Sequence, residues 1–313
     1  MNKVLIADSV SSAVSEVFDK NGIAYDTKIG LSEDELATEI TEYSGLIVRS
    51  AVTVTEKIIN SASNLKVIGR PGVGVDNVDL KAATNNGIVV MNTPLGNVQA
   101  TAELTFGIMH SLMRKISNAN QSMHQKKWEK KKFIGNEMYG KTIGIIGFGN
   151  IGKKVSQIAH AYGMNVLVYS ASISPEDEKK FNVTNQSIDD ILEGADIITF
   201  HNKLSENSKY LINSNAITKM KKNAIIINCA RGGLVNEKDI KEALEKGNIA
   251  GYGCDVYENE PEQDSIFSSM DNVVMTPHIG ASTIEAQEKV AYQIAEQIVE
   301  FLKNNKIINQ VNK

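Results

Sequence analysis

Cysteine is scarce in this sequence, with Cys229 and Cys254 as the only two in 313 residues. Two thiols provide neither a disulfide framework nor the repeated spacing of a zinc site, so we expect no metal and a reduced, cytoplasmic setting. No apolar run approaches membrane-spanning length, and MNKVLIADS turns polar early, which predicts a first strand rather than a signal peptide. The net charge of −4 gives no reason to expect nucleic acid or an anionic membrane as partner.

Strands that alternate with helices are the main pattern along the chain. The length of 313 residues predicts two domains, because one core rarely serves so many residues. The predicted strands are 4–7, 46–48, 66–68 and 88–90, followed by 143–146, 166–169, 197–200, 224–228, 249–255 and 273–275. The later six match a doubly wound dinucleotide-binding fold, so the predicted class is α/β with two parallel-sheet, Rossmann-like domains.

Two predicted helices bear on the domain boundaries. The stretch GNVQATAELTFGIMHSLMRK is apolar on most sides, which indicates burial between domains or against a second subunit. The stretch STIEAQEKVAYQIAEQIVEFLKN opens with Ser282 and Glu285 in capping-box spacing and then repeats apolar residues every fourth position. We expect this helix to return to the first domain, which would comprise 1–95 and 284–313, with a nucleotide domain, 96–283, inserted.

A glycine-rich motif, GFGNIG, lies between a predicted strand and a predicted helix. In such a turn Gly147 would make the tight bend, Gly149 would let a pyrophosphate approach the backbone, and Gly152 would let helix and strand pack closely. The helix N-terminus would supply partial positive charge for the phosphates. The motif therefore predicts a dinucleotide site.

The residue that should grip the adenosine ribose departs from the usual pattern. In NVLVYSAS, Ser170 stands where an Asp or Glu is usual in NAD-binding units. A serine offers no charge to repel a 2′-phosphate. We therefore expect NAD as cofactor, with weakened discrimination and NADP as the alternative.

Polar side chains follow three neighbouring strands of the second predicted sheet. Arg231 follows the fourth strand, Asp255 and Glu260 follow the fifth, and His278 follows the sixth. An imidazole can take the proton of an alcohol as hydride leaves, a carboxylate beside it stabilises its protonated form, and a guanidinium can hold a substrate carboxylate. The pattern favours hydride transfer between a nicotinamide and a 2-hydroxy acid, with Asp255 orienting the carboxamide. Taken singly, a loop Arg, a solvated Glu and a loop His are more often structural than functional.

Five segments in order resemble the D-isomer-specific 2-hydroxyacid dehydrogenase family: NLKVIGRPGVGVDNVDLKAATNNGIVVMNTP, GKTIGIIGFGNIG, NCARGGLVNE, DVYENEP and TPHIGASTIEAQ. The resemblance implies a discontinuous two-domain fold, an inter-domain cleft, a dimer built through the nucleotide domain, and catalysis by Arg231, Glu260 and His278. It also implies that the cofactor is lined by further residues, namely Asn150, Ile151, Asn202, Cys229, Ala230, Asp255, Gly280 and Ala281.

Basic residues of the first domain point to the substrate. Arg49 and Arg70 resemble positions that hold phosphate and carboxylate in family members acting on D-3-phosphoglycerate, and Lys130 resembles a basic residue lent to a neighbouring active site, often an Arg. The implied substrate-binding set is Arg49, Ser50, Arg70, Gly72, Val73, Gly74 and Lys130. A solvated basic loop explains the lysines around Lys130 equally well.

Other functions stay open on the sequence alone. A family member that reduces hydroxypyruvate or glyoxylate would not need the two arginines, and a nucleotide-sensing co-repressor would need no turnover. The sequence ends soon after the last predicted helix, so we expect no serine-sensing regulatory module, although inhibition at the active site remains open.

Overall fold

The first α/β segment forms a five-stranded parallel sheet in the computed structural model, which describes residues 2–312. Its elements are β1 (Lys3–Ile6), α1 (Ala13–Asn21), β2 (Ala24–Thr27), α2 (Glu33–Glu39), β3 (Gly45–Ile47), α3 (Glu56–Ser61), β4 (Val67–Arg70), α4 (Leu80–Asn85) and β5 (Val89–Asn92), with a 3₁₀ turn at Ile40–Glu42. The strand order is β2-β1-β3-β4-β5. Strand β2 was not predicted, because AYDT is a short, half-exposed edge strand without an apolar alternation.

The second segment forms a seven-stranded parallel sheet. Its elements are α5 (Val98–Arg114), α6 (Ile116–His124), β6 (Thr142–Ile146), α7 (Asn150–Ala161), β7 (Asn165–Tyr169), α8 (Pro175–Phe181), β8 (Thr184–Asn185), α9 (Ile188–Gly194), β9 (Ile197–Phe200), α10 (Ser214–Lys219), β10 (Ile225–Asn228), α11 (Glu237–Glu245), β11 (Gly251–Cys254) and β12 (Val273–Met275), with 3₁₀ turns at Lys130–Phe133 and Gly232–Leu234. The order β12-β11-β10-β9-β6-β7-β8 reverses direction between β6 and β9. That reversal is the place where doubly wound sheets bind ligands.

The six strands predicted for this sheet are present, and a seventh is added. The two-residue β8 pairs with β7 at the edge of the sheet, where Leu167 lies opposite Thr184. Helix α5 is buried through residues such as Phe106, Ile108 and Met109, while the expected burial between domains or against a second subunit stays a prediction. These side chains share one apolar core with Ile143, Ile145 and other residues of the second sheet.

The last helix, α12 (Ile284–Asn304), packs against the first sheet. Its Ile294 and Ile298 side chains come so close to β4 that a Cβ added at Gly69 would lie 2.7 Å from each. Thr283 is the N-cap and its side chain accepts the Ala286 N–H, so the capping box predicted for Ser282 and Glu285 is wrong: the cap lies one residue later, and Ala286 has no side chain that could complete a box.

The chain accordingly divides into two compact units. One runs to Asn97 and resumes at Ala281, and the other is Val98–Gly280. The expected boundaries, after residues 95 and 283, lie close to these. Within residues 2–312, no helix combines the length and the hydropathy that crossing a bilayer requires.

Candidate active site

The glycine-rich turn joins β6 to α7 with little room on two sides. Gly147 has φ +99°, and a Cβ there would lie 2.5 Å from the Asn202 backbone nitrogen. A Cβ at Gly152 would lie 2.1 Å from the Gly147 carbonyl oxygen, whereas one at Gly149 would meet nothing within 4 Å. The open side at Gly149 adjoins the start of α7, whose backbone N–H groups favour an anion. The turn thus has the shape of a pyrophosphate cradle.

Two buried polar atoms lie beside this cradle, just after β9. The Nδ1 of His201 and the Oδ1 of Asn202 have no hydrogen-bond partner within residues 2–312. Burial lowers the pKa of His201 to about 3, so its ring is neutral at physiological pH. Buried polar atoms normally find a partner, and the hydroxyls and phosphates of a dinucleotide would supply one. Asn202 was expected here, while His201 was missed, although a polar residue directly after a buried strand is a usable signal.

Ser170 follows β7 as predicted and is half-buried. The unpredicted strand β8 holds it there: Asn185 Oδ1 accepts the Ser170 N–H at 3.0 Å, and Asn185 Nδ2 donates to the Ser170 carbonyl at 3.2 Å. Two acids nearby are engaged, since Asp177 pairs with Lys153 of α7 at 2.8 Å and Glu178 accepts the Asn185 N–H at 2.7 Å. The Ser170 backbone is therefore fixed, and its side chain brings no charge to this corner.

The other candidate residues follow β10, β11 and β12, which are consecutive neighbours in the sheet. Their carboxyl ends lie side by side because the strands are parallel. Arg231, after β10, is half-buried, and its loop is shaped by Asn228, whose side chain donates to the Arg231 carbonyl at 2.9 Å. The structure thus brings Arg231, Glu260 and His278 to one edge.

The imidazole of His278 is held by a carboxylate. Its Nδ1 lies 2.7 Å from Glu260 Oε2, and Glu260 Oε1 accepts the Tyr257 N–H at 3.0 Å. The hydrogen bond to Glu260 raises the pKa of His278, against an opposing effect of burial and a smaller one from the Arg231 charge. Burial acts to raise the pKa of Glu260, but the His278 bond and charge, the Tyr257 N–H and Arg231 together lower it. Nδ1 is thereby occupied, which leaves Nε2 to exchange a proton with a substrate.

Asp255 is buried and bonded within the chain. Its Oδ1 accepts Thr276 Oγ1 and the Ile279 N–H, both at 2.7 Å, and its Oδ2 accepts the Gly280 N–H at 2.8 Å. Burial raises the pKa of its carboxyl, and these three hydrogen bonds oppose that rise. The structure therefore shows Asp255 anchoring the loop that carries His278, a role the sequence did not suggest; contact with a carboxamide stays a prediction.

The remaining residues expected at the cofactor lie at the same sheet edge or at the start of α7. Asn150 and Ile151 open α7, Ala230 precedes Arg231, and Gly280 is buried under the Thr101 hydroxyl, which donates to its carbonyl. Cys229 is buried and its thiol stays protonated, because burial raises its pKa to about 12. Ala281 begins the segment assigned to the first unit.

The candidate substrate residues of the first unit lie at the carboxyl ends of β3 and β4, which are neighbours. Arg49 donates its backbone N–H to Asp8 at 2.9 Å and its guanidinium to the Ser9 carbonyl at 3.1 Å, with exposed Ser50 following it. Arg70 ends β4 with its guanidinium over Gly72, where a Cβ would lie 1.8 Å from Nη1. The next turn, through Val73 and Gly74, is held by Asn92, which donates to the Val73 carbonyl at 2.6 Å.

Lys130 is exposed on the 3₁₀ turn Lys130–Phe133 of the second unit. Lys132 of the same turn pairs with Glu129 at 2.6 Å. The neighbouring Trp128 is 81% exposed. Within residues 2–312 there is no group of three His, Cys, Asp or Glu side chains arranged to hold a metal ion.

Similarity to known proteins points to one family of dehydrogenases. The family model described as D-isomer specific 2-hydroxyacid dehydrogenase, NAD binding domain, matches residues 106–280. D-3-phosphoglycerate dehydrogenases from Bacillus subtilis (strain 168) and Synechocystis sp. are 42% and 45% identical over 100% and 96% of this chain. The chain spans 59% and 54% of their lengths. The crystal structure of the TT0316 protein from Thermus thermophilus covers 99% of both chains at 30% identity and a TM-score of 0.91.

Proposed function

The chain belongs to the D-isomer-specific 2-hydroxyacid dehydrogenase family, and we propose that it oxidises D-3-phosphoglycerate to 3-phosphohydroxypyruvate with NAD, the first step of serine biosynthesis. The observation that carries the reaction type is the His278–Glu260 hydrogen bond at the same sheet edge as Arg231. The observation that supports the substrate is the 42–45% identity to D-3-phosphoglycerate dehydrogenases over nearly the whole chain.

Each catalytic candidate has a role that its surroundings support. Bound NAD⁺ would accept hydride from the substrate carbon. During this oxidation, His278 Nε2 takes the proton of the substrate hydroxyl, and Glu260 stabilises the imidazolium that results. Arg231 holds the substrate carboxylate and polarises the developing carbonyl through paired hydrogen bonds. Asp255 keeps the His278 loop in place through its three accepted hydrogen bonds.

Arg49 and Arg70 are proposed to bind the substrate phosphate, with Lys130 adding positive charge. Each arginine follows a neighbouring parallel strand, and both side chains are half-buried, which favours strong charge-assisted hydrogen bonds. Arg49→Ala should lower kcat/KM for 3-phosphohydroxypyruvate by roughly 10- to 100-fold, the effect of about 1.5–3 kcal/mol. The loss should be small with hydroxypyruvate, which has no phosphate. Equal losses on both would assign the arginine to the carboxylate or the fold.

A homodimer in the cytoplasm is the proposed working state. Exposed apolar side chains of the second unit support the dimer, among them Met123, Trp128, Ile134 and Tyr139. The cytoplasmic setting is supported by Cys229 and Cys254, both buried and free. Light scattering at several protein concentrations would measure the mass directly.

A single assay separates the candidate functions. NADH oxidation is followed with 3-phosphohydroxypyruvate, hydroxypyruvate and glyoxylate in parallel, using His278→Ala as the inactive control. We expect the highest kcat/KM with the phosphorylated substrate. A preference for hydroxypyruvate or glyoxylate would indicate the reductase of the same family, and NADH binding without turnover of any substrate would indicate a binding protein.

A further inference from the structure

The loop that carries Arg231 lies directly against the loop that carries Glu260. Gly232 is buried, and a Cβ there would lie 1.9 Å from the Tyr257 carbonyl carbon and 2.4 Å from the Glu258 backbone nitrogen. The two backbones are therefore in van der Waals contact, and neither loop can shift alone. Whatever holds residues 257–258 also determines where Arg231 lies.

Two glutamates hold this junction through each other's backbone. The Glu258 N–H donates to Glu237 Oε1 at 2.9 Å, and the Glu237 N–H donates to Glu258 Oε1 at 2.9 Å. Glu237 is the first residue of α11, where N–H groups and the helix dipole stabilise negative charge. Burial raises the pKa of Glu237, the hydrogen bond from the Glu258 N–H opposes that rise, and the Glu258 charge adds to it, so the two carboxylates lie together at an electrostatic cost.

Tyr210 ties the same two loops together a second time. Its hydroxyl donates to Glu258 Oε2 at 2.9 Å, and its N–H donates to the Gly233 carbonyl at 2.8 Å. Tyr210 does so with φ +51°, in the left-handed region that aromatic residues rarely adopt. Backbone strain of this kind persists where surrounding contacts enforce it, and it is concentrated at functional sites.

Tyr257 connects this junction to the Glu260–His278 pair through two hydrogen bonds. Its N–H donates to Glu260 Oε1 at 3.0 Å, and its hydroxyl donates to the Thr276 carbonyl at 2.9 Å. Thr276 precedes His278 by two residues and is bonded to the His278 N–H through that same carbonyl. A displacement of Tyr257 would therefore move the carboxylate and the imidazole together.

We propose that Glu237, Glu258 and Tyr210 form a carboxylate clamp that sets the position of Arg231 relative to the Glu260–His278 pair. They are positioning residues, because none of them is placed at the substrate or the cofactor. The inference rests on the proposed function for the identity of the reaction. The arrangement that the clamp maintains does not depend on the proposed function.

The first test compares matched variants of α11. Glu237→Ala removes the acceptor for the Glu258 N–H, whereas Glu237→Gln keeps an acceptor oxygen there, loses the charge and replaces the second oxygen with an amide nitrogen. Asp239→Ala is the control, since Asp239 Oδ2 accepts the Ser214 N–H at 2.8 Å, a bond of the same type that leads away from both loops. We expect Glu237→Ala to lower kcat by roughly 10- to 100-fold, as small displacements of catalytic groups do, with the Kd of NADH unchanged. Glu237→Gln should restore most of kcat, and Asp239→Ala should leave it unchanged.

The second readout needs no substrate. Glu260, Asp255 and Arg231 are the charged groups that act on His278, so NMR titration of its ring reports whether the pair stays aligned. In Glu237→Ala the pKa of His278 should fall toward its ordinary value, while in Asp239→Ala it should stay raised. Tyr210→Phe, which removes a single hydroxyl, should change kcat and the pKa of His278 in the same direction but by less. This variant replaces Glu237→Ala as the test of the clamp if Glu237→Ala does not fold.

Distinct results overturn the two proposals. If Glu237→Ala, or Tyr210→Phe in its place, keeps wild-type kcat and His278 pKa, there is no clamp. Losses in Asp239→Ala equal to those in Glu237→Ala would also overturn it, because general destabilisation would explain both. If the wild type fails to turn over 3-phosphohydroxypyruvate while the His278 pKa still depends on Glu237, the clamp stands and the proposed function is wrong.

Discussion

His278 depends on one carboxylate for both its tautomer and its proton affinity. The 2.7 Å contact joins Nδ1 to Glu260, and the same contact is the main reason that the pKa of His278 is raised. Oxidation of a hydroxy acid needs the neutral ring as a base, whereas reduction of the keto acid needs the protonated ring as an acid. A raised pKa therefore favours the acid form and shifts the onset of oxidation to higher pH.

Glu260→Gln should reverse that shift. Because the amide cannot stabilise the imidazolium as the carboxylate does, the pKa of His278 should fall, and the acid limb of kcat/KM for oxidation should move to lower pH. For reduction the basic limb should move to lower pH as well. At its best pH the variant should lose less than the roughly 10²–10⁴-fold expected for His278→Ala. Steady-state rates in both directions across pH measure this, and an acid limb that stays in place would exclude Glu260 as the group that tunes His278.

We expect Ser170 to influence how well the protein distinguishes NAD from NADP. An aspartate at this position would accept hydrogen bonds from both ribose hydroxyls and repel a 2′-phosphate. Ser170→Asp should tighten NADH by up to about 1.5–3 kcal/mol and largely abolish binding of NADPH. The measurement is Kd for both cofactors in wild type and variant, with Asn185→Ala as a probe of whether the backbone at Ser170 must be held. A wild type that strongly prefers NADPH would contradict the assignment of NAD.

At the scale of elements, the glycine turn predicts opposite outcomes for two neighbouring substitutions. A Cβ at Gly152 would meet the Gly147 carbonyl at 2.1 Å, and a backbone atom cannot move aside as a side-chain tip can. Gly152→Ala should destabilise the free protein by about 1–3 kcal/mol. Gly149→Ala meets nothing within 4 Å, so it should leave the free protein unchanged and weaken NADH by filling the cradle. Thermal unfolding without ligand and NADH titration separate the two; equal destabilisation by both would contradict the geometry.

The two strands that the sequence did not predict, β2 and β8, both lie at the edge of a sheet, whereas the edge strands β5 and β12 were predicted. Most of the central strands are short runs rich in Ile and Val and bounded by turns, which is the composition expected of buried parallel strands. Strands β2 and β8 are short, polar and partly exposed, and only pairing with a neighbour makes them strands. Thr283 and Ser282 can both cap a helix, and the structure alone shows which one does.

The residues of the candidate site also differ in whether the sequence alone could predict their positions. The placement of Arg231, Glu260 and His278 at one edge of the sheet was predictable, because each follows a recognisable strand. Glu237, Glu258, Tyr210 and Asn185 were not, because their contacts join segments far apart in sequence and depend on backbone geometry. His201 is an intermediate case. Its position directly after β9 could be predicted from the sequence, whereas the burial of its Nδ1 without a hydrogen-bond partner could not.

At the scale of the whole molecule, each sheet has its own apolar cores. The face of the first sheet covered by α1 and α12 packs Val4, Ile6, Val67, Ile294 and Ile298 together. One core of the second sheet contains Ile198, Ile226, Leu234 and Tyr252. No residue is shared between these two clusters, so cavities made in one core should act first on its own sheet.

Hydrogen exchange on a matched pair of variants tests this separation. Ile294 and Ile226 are both fully buried, and replacing either by Ala should cost about 2–5 kcal/mol. Ile294→Ala should accelerate exchange in β1–β5, and Ile226→Ala should accelerate it in β6–β12. NADH at about 100 times its Kd should stabilise the sheet that binds it by about 2.7 kcal/mol, because a ligand that binds only the folded form shifts the equilibrium by mass action. It should therefore slow exchange in the second sheet of Ile226→Ala and leave the first sheet of Ile294→Ala fast. If Ile294→Ala accelerates exchange equally in both sheets, and NADH slows exchange in both, then the two units open as one cooperative structure. In that case the separate cores do not give the two sheets separate stabilities.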